Sequence, residues 1–267
     1  MTDTLQAAPE LSAEDEMAER FPRDIARHRM EIVRDDGLYR HLRFRRWEDV
    51  LDRETRQPTR RQEATGTYWF DVVTWPGHLA ITGDCGSLLF ARMEDMFEFF
   101  RRQRINPGYW AEKVRASSSP VKVYREEAFR DRVREHVAEA IRSGGAPRGI
   151  GRAVTRQILR NGDAYCEEGA RALLDDFEYG ARSSAQCECG ASLKDVSAQD
   201  AFAWARDHMT TCKWPAITES EPFRFHDVWD WDFADWDWQY LWCCHAIVWG
   251  IAQYDAARAA AAEASRG

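Results

Sequence analysis

Residues 67–90 read TYWFDVVTWPGHLAITGDCGSLLF. Thr67 to Trp75 is dense in aromatic and β-branched residues, the composition of a strand. Pro76-Gly77 turns the chain and His78 to Thr82 returns it. Gly83-Asp84-Cys85-Gly86 turns it again, and Ser87 to Phe90 is a short last strand. Consecutive short strands with tight turns make an antiparallel meander. Upstream, Met30 to Val33 and Leu38 to Phe44 flank Asp35-Asp36-Gly37, a hairpin signal. In the second run Leu38, Leu42 and Phe44 share one face with Arg40. Arg46 to Gly66 is highly charged and carries little strand pattern, which predicts a long loop or insertion. Residues 1–20 are acidic and predict a disordered tail.

Helices are expected downstream. Met93, Met96, Phe97 and Phe100 lie at helical spacing and predict a helix over 92–103. Asn106-Pro107-Gly108 ends it. Phe129, Val133, Val137 and Ile141 form one stripe of a helix over 125–142. Ser143 to Gly151 holds four glycines and a proline and reads as a linker. Residues 152–180 predict one or two more helices. No internal repeat is present.

The chain has 267 residues, 44% of them apolar, which suffices for a folded core. Its net charge of -8 gives no global attraction to nucleic acid or to an anionic membrane. No apolar run approaches the roughly 18 residues of a membrane span. The N-terminal residues lack an apolar signal core, so a cytoplasmic location is expected. Seven cysteines are present. In that setting metal binding is a better expectation than a disulfide framework.

Three of the seven have metal-ligand spacing. Cys187-Glu188-Cys189-Gly190 is followed by His208 and, four residues on, by Cys212. Zinc favours a tetrahedron of thiolate and imidazole ligands. A close cysteine pair followed by glycine is a knuckle. Ser197 and Asp200 predict the start of a helix, with Phe202, Ala205 and Met209 as its apolar face. His208 and Cys212, at i and i+4, then share one side of that helix. Four protein ligands leave no open position, so the expected zinc is structural. The Cys-x-Cys gap is one residue shorter than the commoner knuckle.

Six of the twelve tryptophans lie between Trp229 and Trp249. Phe233, Trp236, Tyr240, Cys244, Ile247 and Ile251 form one helical stripe. Trp238, Trp242, His245 and Trp249 form a second, roughly 150° away. Ala246 and Gly250 lie between them, where a neighbouring backbone could approach closely. Such a helix is either central to its domain or shared with a partner. Trp238, Trp242 and Trp249 are therefore candidate partner-binding residues in a homo-oligomer or target complex. Cys243 and Cys244 read as small buried hydrophobes. Asp227, Asp230, Asp232, Asp235 and Asp237 read as a solvated acidic face.

Arginines concentrate between Arg40 and Arg61. Arg45, Arg46, Arg60 and Arg61, near Tyr68 and Trp69, are candidates for gripping an acidic partner or a phosphate backbone. His78, Asp84 and Cys85 flank two turns of the meander. A cysteine nucleophile with a histidine base there is the enzyme alternative.

Several stretches resemble a known family. They are Leu38 to Phe44, Tyr68 to Leu79, Ile81 to Asp84, Asp95 to Arg101, Ile105 to Trp110, and Trp242 to Gly250. The family is carried by tailed phages and prophages, and the likeness is to its anti-Gabija type. It covers roughly 30–110 and 223–255; the zinc segment lies outside it. Residues 46–66 depart from the short Pro-Gly turn of that family. The resemblance implies a non-enzymatic protein of the host-cell cytoplasm. It would inhibit a nuclease–helicase defence complex by coating it as an oligomer. It assigns no contact residues to this chain.

The fold expected is α+β. A tail (1–20) precedes a meander with a helix (21–115) and a helical region (116–184) with a linker near 143–151. A zinc module (185–214) and an aromatic C-terminal helix (215–267) packing on the main domain complete the chain. The leading function is protein binding against host defence. A zinc-containing nucleic-acid-binding accessory protein is the alternative, and a thiol enzyme at Cys85 a distant one.

Overall fold

A computed structural model describes residues 12–101, 104–180, 182–213 and 215–266. The chain divides into two compact units: Met1–Val123 with Asp235–Gly267, and Tyr124–Ala234. The second unit is thus inserted in sequence into the first. The Gly/Pro-rich stretch 143–151 is not a boundary. It joins two helices inside the second unit.

The first unit holds a six-stranded antiparallel sheet in sequential order. Its strands are β1 (His28–Asp36), β2 (Tyr39–Leu51), β3 (Pro58–Trp75), β4 (His78–Gly83), β5 (Gly86–Ala91) and β6 (Val114–Ser117). The expected meander is present, with one more strand at its end. Alternation decides which face is buried. Leu42, Val72, Ile81 and Leu88 stand in register across four strands. Phe44 and Phe70 stack beside them, ring centroids 4.4 Å apart.

Residues 46–66 are not a loop. β2 and β3 stay paired outward to Leu51 and Pro58. Asp52 closes the turn by accepting from the Glu54 and Thr55 amides at 3.1 and 2.8 Å. Both faces of this arm are largely open to water, so no alternation of apolar residues marks it.

Four helices complete the first unit: α1 (Ala13–Ile25), α2 (Met96–Arg101), α3 (Pro107–Ala111) and α8 (Trp238–Ala264). Helix α1 corrects the expected tail for residues 13–20; residues 1–11 lie outside the described residues. Ser12 caps it by accepting from the Asp15 amide at 3.2 Å. Met17, Phe21 and Ile25 bury one stripe. The acidic residues and Pro22 masked that spacing. The expected 92–103 helix begins only at Met96, as α2, and Met93 is exposed; residues 102–103 lie outside the described residues.

Helix α8 lies in the middle of this core. Tyr240, Leu241, Trp242, Cys243, Cys244, Ala246, Ile247 and Ile251 are all buried. Gly250 admits the Phe44 ring: a Cβ there would meet Phe44 Cζ at 3.0 Å. The sequence left room for a close neighbour at this point, and the neighbour is a side chain.

One polar pair sits inside the first unit. Arg40 donates to both carboxylate oxygens of Asp95, at 2.9 and 3.0 Å. Burial pushes the Asp95 carboxyl up, but the bonds from Arg40 and the Phe97 amide outweigh it and hold the group below the ordinary carboxylate range. A depressed folded pKa gives stability that is full above the unfolded value of about 3.9 and lost as pH falls through the folded one. Thermal melting of wild-type protein should therefore show an acid-sensitive component below about pH 4. Asp95→Asn should be less stable at neutral pH and lack that component. An Asp95→Asn chain with an unchanged acid profile would remove the assignment.

The second unit is built on α4 (Glu126–Arg142), α5 (Ile150–Val154), α6 (Glu167–Asp175) and α7 (Ala198–Met209). A π turn (Thr155–Leu159) continues α5. Phe129, Val133, Val137, Ile150, Val154, Ile158, Leu174 and Phe233 belong to one core. Ile141, expected on the α4 stripe, is exposed. Arg171 donates to Trp231 O at 2.9 Å and to Val228 O, fixing the tryptophan-rich segment.

Candidate metal centre

The sharpest site lies in the second unit. Strand Arg182–Gln186 pairs antiparallel with Ser192–Val196 on one side and Ala216–Ser220 on the other. Cys187 and Cys189 occupy the turn of the first of these hairpins. The turn closes through Gly190 N–H to Cys187 O at 3.0 Å and Cys187 N–H to Ala191 O at 2.9 Å. Gly190 has φ +94°, a conformation that disfavours any side chain, which is why glycine follows the cysteine pair.

Helix α7 delivers the other two ligands. Ser197 caps it by accepting from the Asp200 amide at 3.1 Å. His208 stands in its last turn. Cys212 lies beyond its end, yet the Cys212 amide still donates to His208 O at 3.1 Å. That bond keeps the i,i+4 relation outside the regular helix. The His208 ring stacks on Trp204, centroids 4.8 Å apart and planes 10° apart, which fixes its direction.

The four ligand atoms lie within 4.8 Å of one another. Cys187 Sγ is 3.3 Å from Cys212 Sγ, and Cys189 Sγ is 3.3 Å from His208 Nε2. A tetrahedral zinc with bonds of about 2.0–2.3 Å needs ligand separations of about 3.5–3.8 Å. Shifts of a few tenths of an ångström to about 1 Å bring the cluster to that geometry. Cys187, Cys189, His208 and Cys212 thus form a site that could hold a metal ion such as zinc. Among the described residues no other group of His, Cys, Asp or Glu offers three ligand atoms this close.

The module around the site has little apolar core. Among its described residues those buried are small: Ser183, Ala185, Cys187, Ala201, Ala205 and Pro215. Phe202 and Met209, expected on the buried side of α7, are 50% and 48% exposed. The helix instead turns its Ala201/Ala205 edge inward.

The other candidate residues fare differently. Trp242 is 0% exposed. It meets Phe21 and Phe70 edge-on at 5.5 and 5.4 Å, stacks on Tyr68 at 5.8 Å, and donates from Nε1 to Asp24 at 3.3 Å. It is a core residue, not a partner contact. Trp249 is half-buried against Phe44 and Phe70. Trp238 keeps 37% of its surface and lies under the Arg20 guanidinium. The second aromatic stripe of α8 is covered by α1 at Trp238, Trp242 and His245 and by the sheet at Trp249.

The arginines of 40–61 do not form one patch. Arg45 pairs with Asp71 at 2.9 Å and lies over Trp69. Arg46 pairs with Glu48 at 2.8 Å. Arg60 and Arg61 are exposed, on an arm that also carries Asp49, Asp52, Glu54 and Glu63.

His78 and Cys85 sit at opposite ends of β4, so they do not meet. Burial, then Asp84, pushes the Cys85 thiol up to about 12. Such a thiol stays protonated at neutral pH and is a poor nucleophile. Asp84 has a turn role, accepting from the Tyr68 amide at 2.8 Å. In the acidic run, Asp232 and Asp235 accept from backbone amides, and Asp237 caps α8. Among the described residues no helix is long and apolar enough to cross a membrane. No family model, no curated protein and no solved structure matches the chain.

Proposed function

We propose that this chain is a binding protein in which Cys187, Cys189, His208 and Cys212 hold one structural zinc ion. The observation that carries the zinc assignment is the convergence of three sulfurs and one imidazole from a knuckle turn and a helix end. Four protein ligands close the coordination shell, so the ion would brace the module and leave no position for a substrate. The chemistry it supplies is cross-linking of the knuckle turn to the end of the helix.

The binding partner is proposed from the phage-family resemblance: a host antiviral defence complex of the nuclease–helicase kind, engaged as an oligomer. Support for a partner-binding role lies in the resemblance, not in the α8 tryptophans, which are largely used internally.

Elemental analysis of protein purified without chelators should find about one zinc per chain. Less than a tenth of that would end the zinc reading. Co-expression with a Gabija-type complex should then co-purify the two, and sedimentation should report the stoichiometry. A chain that carries zinc but stays monomeric and leaves the complex's nuclease activity untouched would end the defence reading.

A further inference from the structure

The region with the least acidic character lies away from the metal centre. From Ala140 to Gly162 the chain holds Arg142, Arg148, Arg152, Arg156 and Arg160 and no acidic residue, in a protein of net charge -8. The last four recur every fourth residue: Arg148 in the turn before α5, Arg152 in α5, Arg156 in the π turn and Arg160 just beyond it.

Burial fixes where they point. Ile150, Val154 and Ile158 also recur every fourth residue, two positions out of step, and all three are buried. Two residues along a helix is about 200°, so the arginine row faces away from the core. Arg148, Arg152, Arg156 and Arg160 are all exposed. A plain α-helix would rotate such a row by about 40° at each step of four. The π turn over 155–159 has more residues per turn and offsets part of that rotation between Arg152 and Arg156.

Among the described residues none of the four arginines makes an ion pair, whereas Arg142 pairs with Glu139. A step of four residues advances the row about 6 Å. Phosphates advance about 3.4 Å each along the axis of a nucleic-acid strand, so each step of the row spans about two of them. The guanidinium fork suits phosphate oxygens. Protein interfaces, by contrast, centre on aromatic or aliphatic anchors. No large apolar side chain between Ile141 and Tyr165 is exposed.

We infer that Arg148, Arg152, Arg156 and Arg160 form a contact ladder for the phosphate backbone of nucleic acid. The ladder reads charge and spacing, not base sequence. It differs from the 40–61 arginines in being acid-free and unpaired. It does not rest on the zinc or the defence assignment.

Fluorescence anisotropy with a labelled mixed-sequence DNA duplex of about 25 base pairs, on the full chain, tests it. Binding is expected at low salt. With about four phosphate contacts, affinity should fall about fifty-fold between 50 and 150 mM salt. Arg152→Glu with Arg156→Glu should lower affinity at least about thirty-fold. The neutral pair Arg152→Gln with Arg156→Gln should give a smaller loss and a shallower salt slope. Arg60→Glu with Arg61→Glu should leave binding within about twofold, since those arginines sit among acids. Unchanged thermal melting and zinc content would confirm that the ladder variants fold. No binding at low salt, or full binding by a folded Arg152→Glu/Arg156→Glu chain, would overturn the inference. Equal affinity for polyglutamate would overturn it in favour of an acidic protein partner.

Discussion

A chain carrying Cys212→Ser is expected to lose its metal and the fold of residues 182–220 together, while the six-stranded sheet persists. Among the described residues the module buries only small side chains: three alanines, a serine, a cysteine and a proline. Its larger apolar side chains, Phe202 and Met209, stay half in water. Burial of a few methyl groups, at about 0.8 kcal/mol each, cannot hold three short strands and a helix. Structural zinc in small modules is worth about 10–16 kcal/mol of apparent binding energy at neutral pH. Losing one thiolate should remove enough of that to melt the module. Chelator treatment of wild-type protein should do the same. Hydrogen exchange read by peptide would show it as fast exchange over 182–220 and unchanged protection over 70–90. Slow exchange throughout Cys212→Ser would mean that the module stands without its ion. The contact between Cys187 and Cys212 adds a practical point: the stripped protein should be kept reduced, since these two sulfurs are already neighbours.

Trp242→Ala should cost the first unit about 3–5 kcal/mol, the loss typical of emptying a large aromatic site. The indole is in contact with Phe21, Tyr68 and Phe70, and its N–H satisfies Asp24. Removing it leaves a cavity between α1, β3 and α8. Near-UV circular dichroism and thermal melting would register the change. If Trp242 were an interface residue instead, the variant would melt normally and change only its sedimentation. Zinc content should not move in either case, because the ligands lie in the other unit. Trp238→Ala, at a position 37% exposed, is the matched control and should cost far less.

The central strands were legible because aromatic and β-branched residues crowd between tight turns, and one face of them, with Leu42, Val72 and Ile81, is buried. The outward arm of β2 and β3 has no buried half, and its pairing left no mark in the sequence. Helix α1 had a capping serine and a Met17/Phe21/Ile25 stripe. Three acidic residues in its first turn gave the appearance of a solvated tail, although negative charge there favours a helix. Overlooking α1 had a cost downstream. Without a cover for Trp242, the second stripe of α8 looked like surface. The four metal ligands were legible because their spacing is local: a turn, a helix, and one turn beyond. The arginine ladder was harder to find. Part of its alignment rests on a π turn, which fixed 100° steps do not anticipate.

The insertion of residues 124–234 into the first unit has a consequence for how the protein is made. Helix α8 supplies the centre of the first core, yet it is translated after the whole of residues 124–234. At roughly 5–20 residues per second, the intervening segment delays it by on the order of ten seconds. During that interval the sheet's apolar face has no α8 to cover it, while the inserted unit already has every residue it needs. The nascent chain should therefore fold from the middle outward. Chaperones that recognise exposed Leu, Phe and Val would find their target in the first half of the chain, until the ribosome releases the tryptophan helix that closes it.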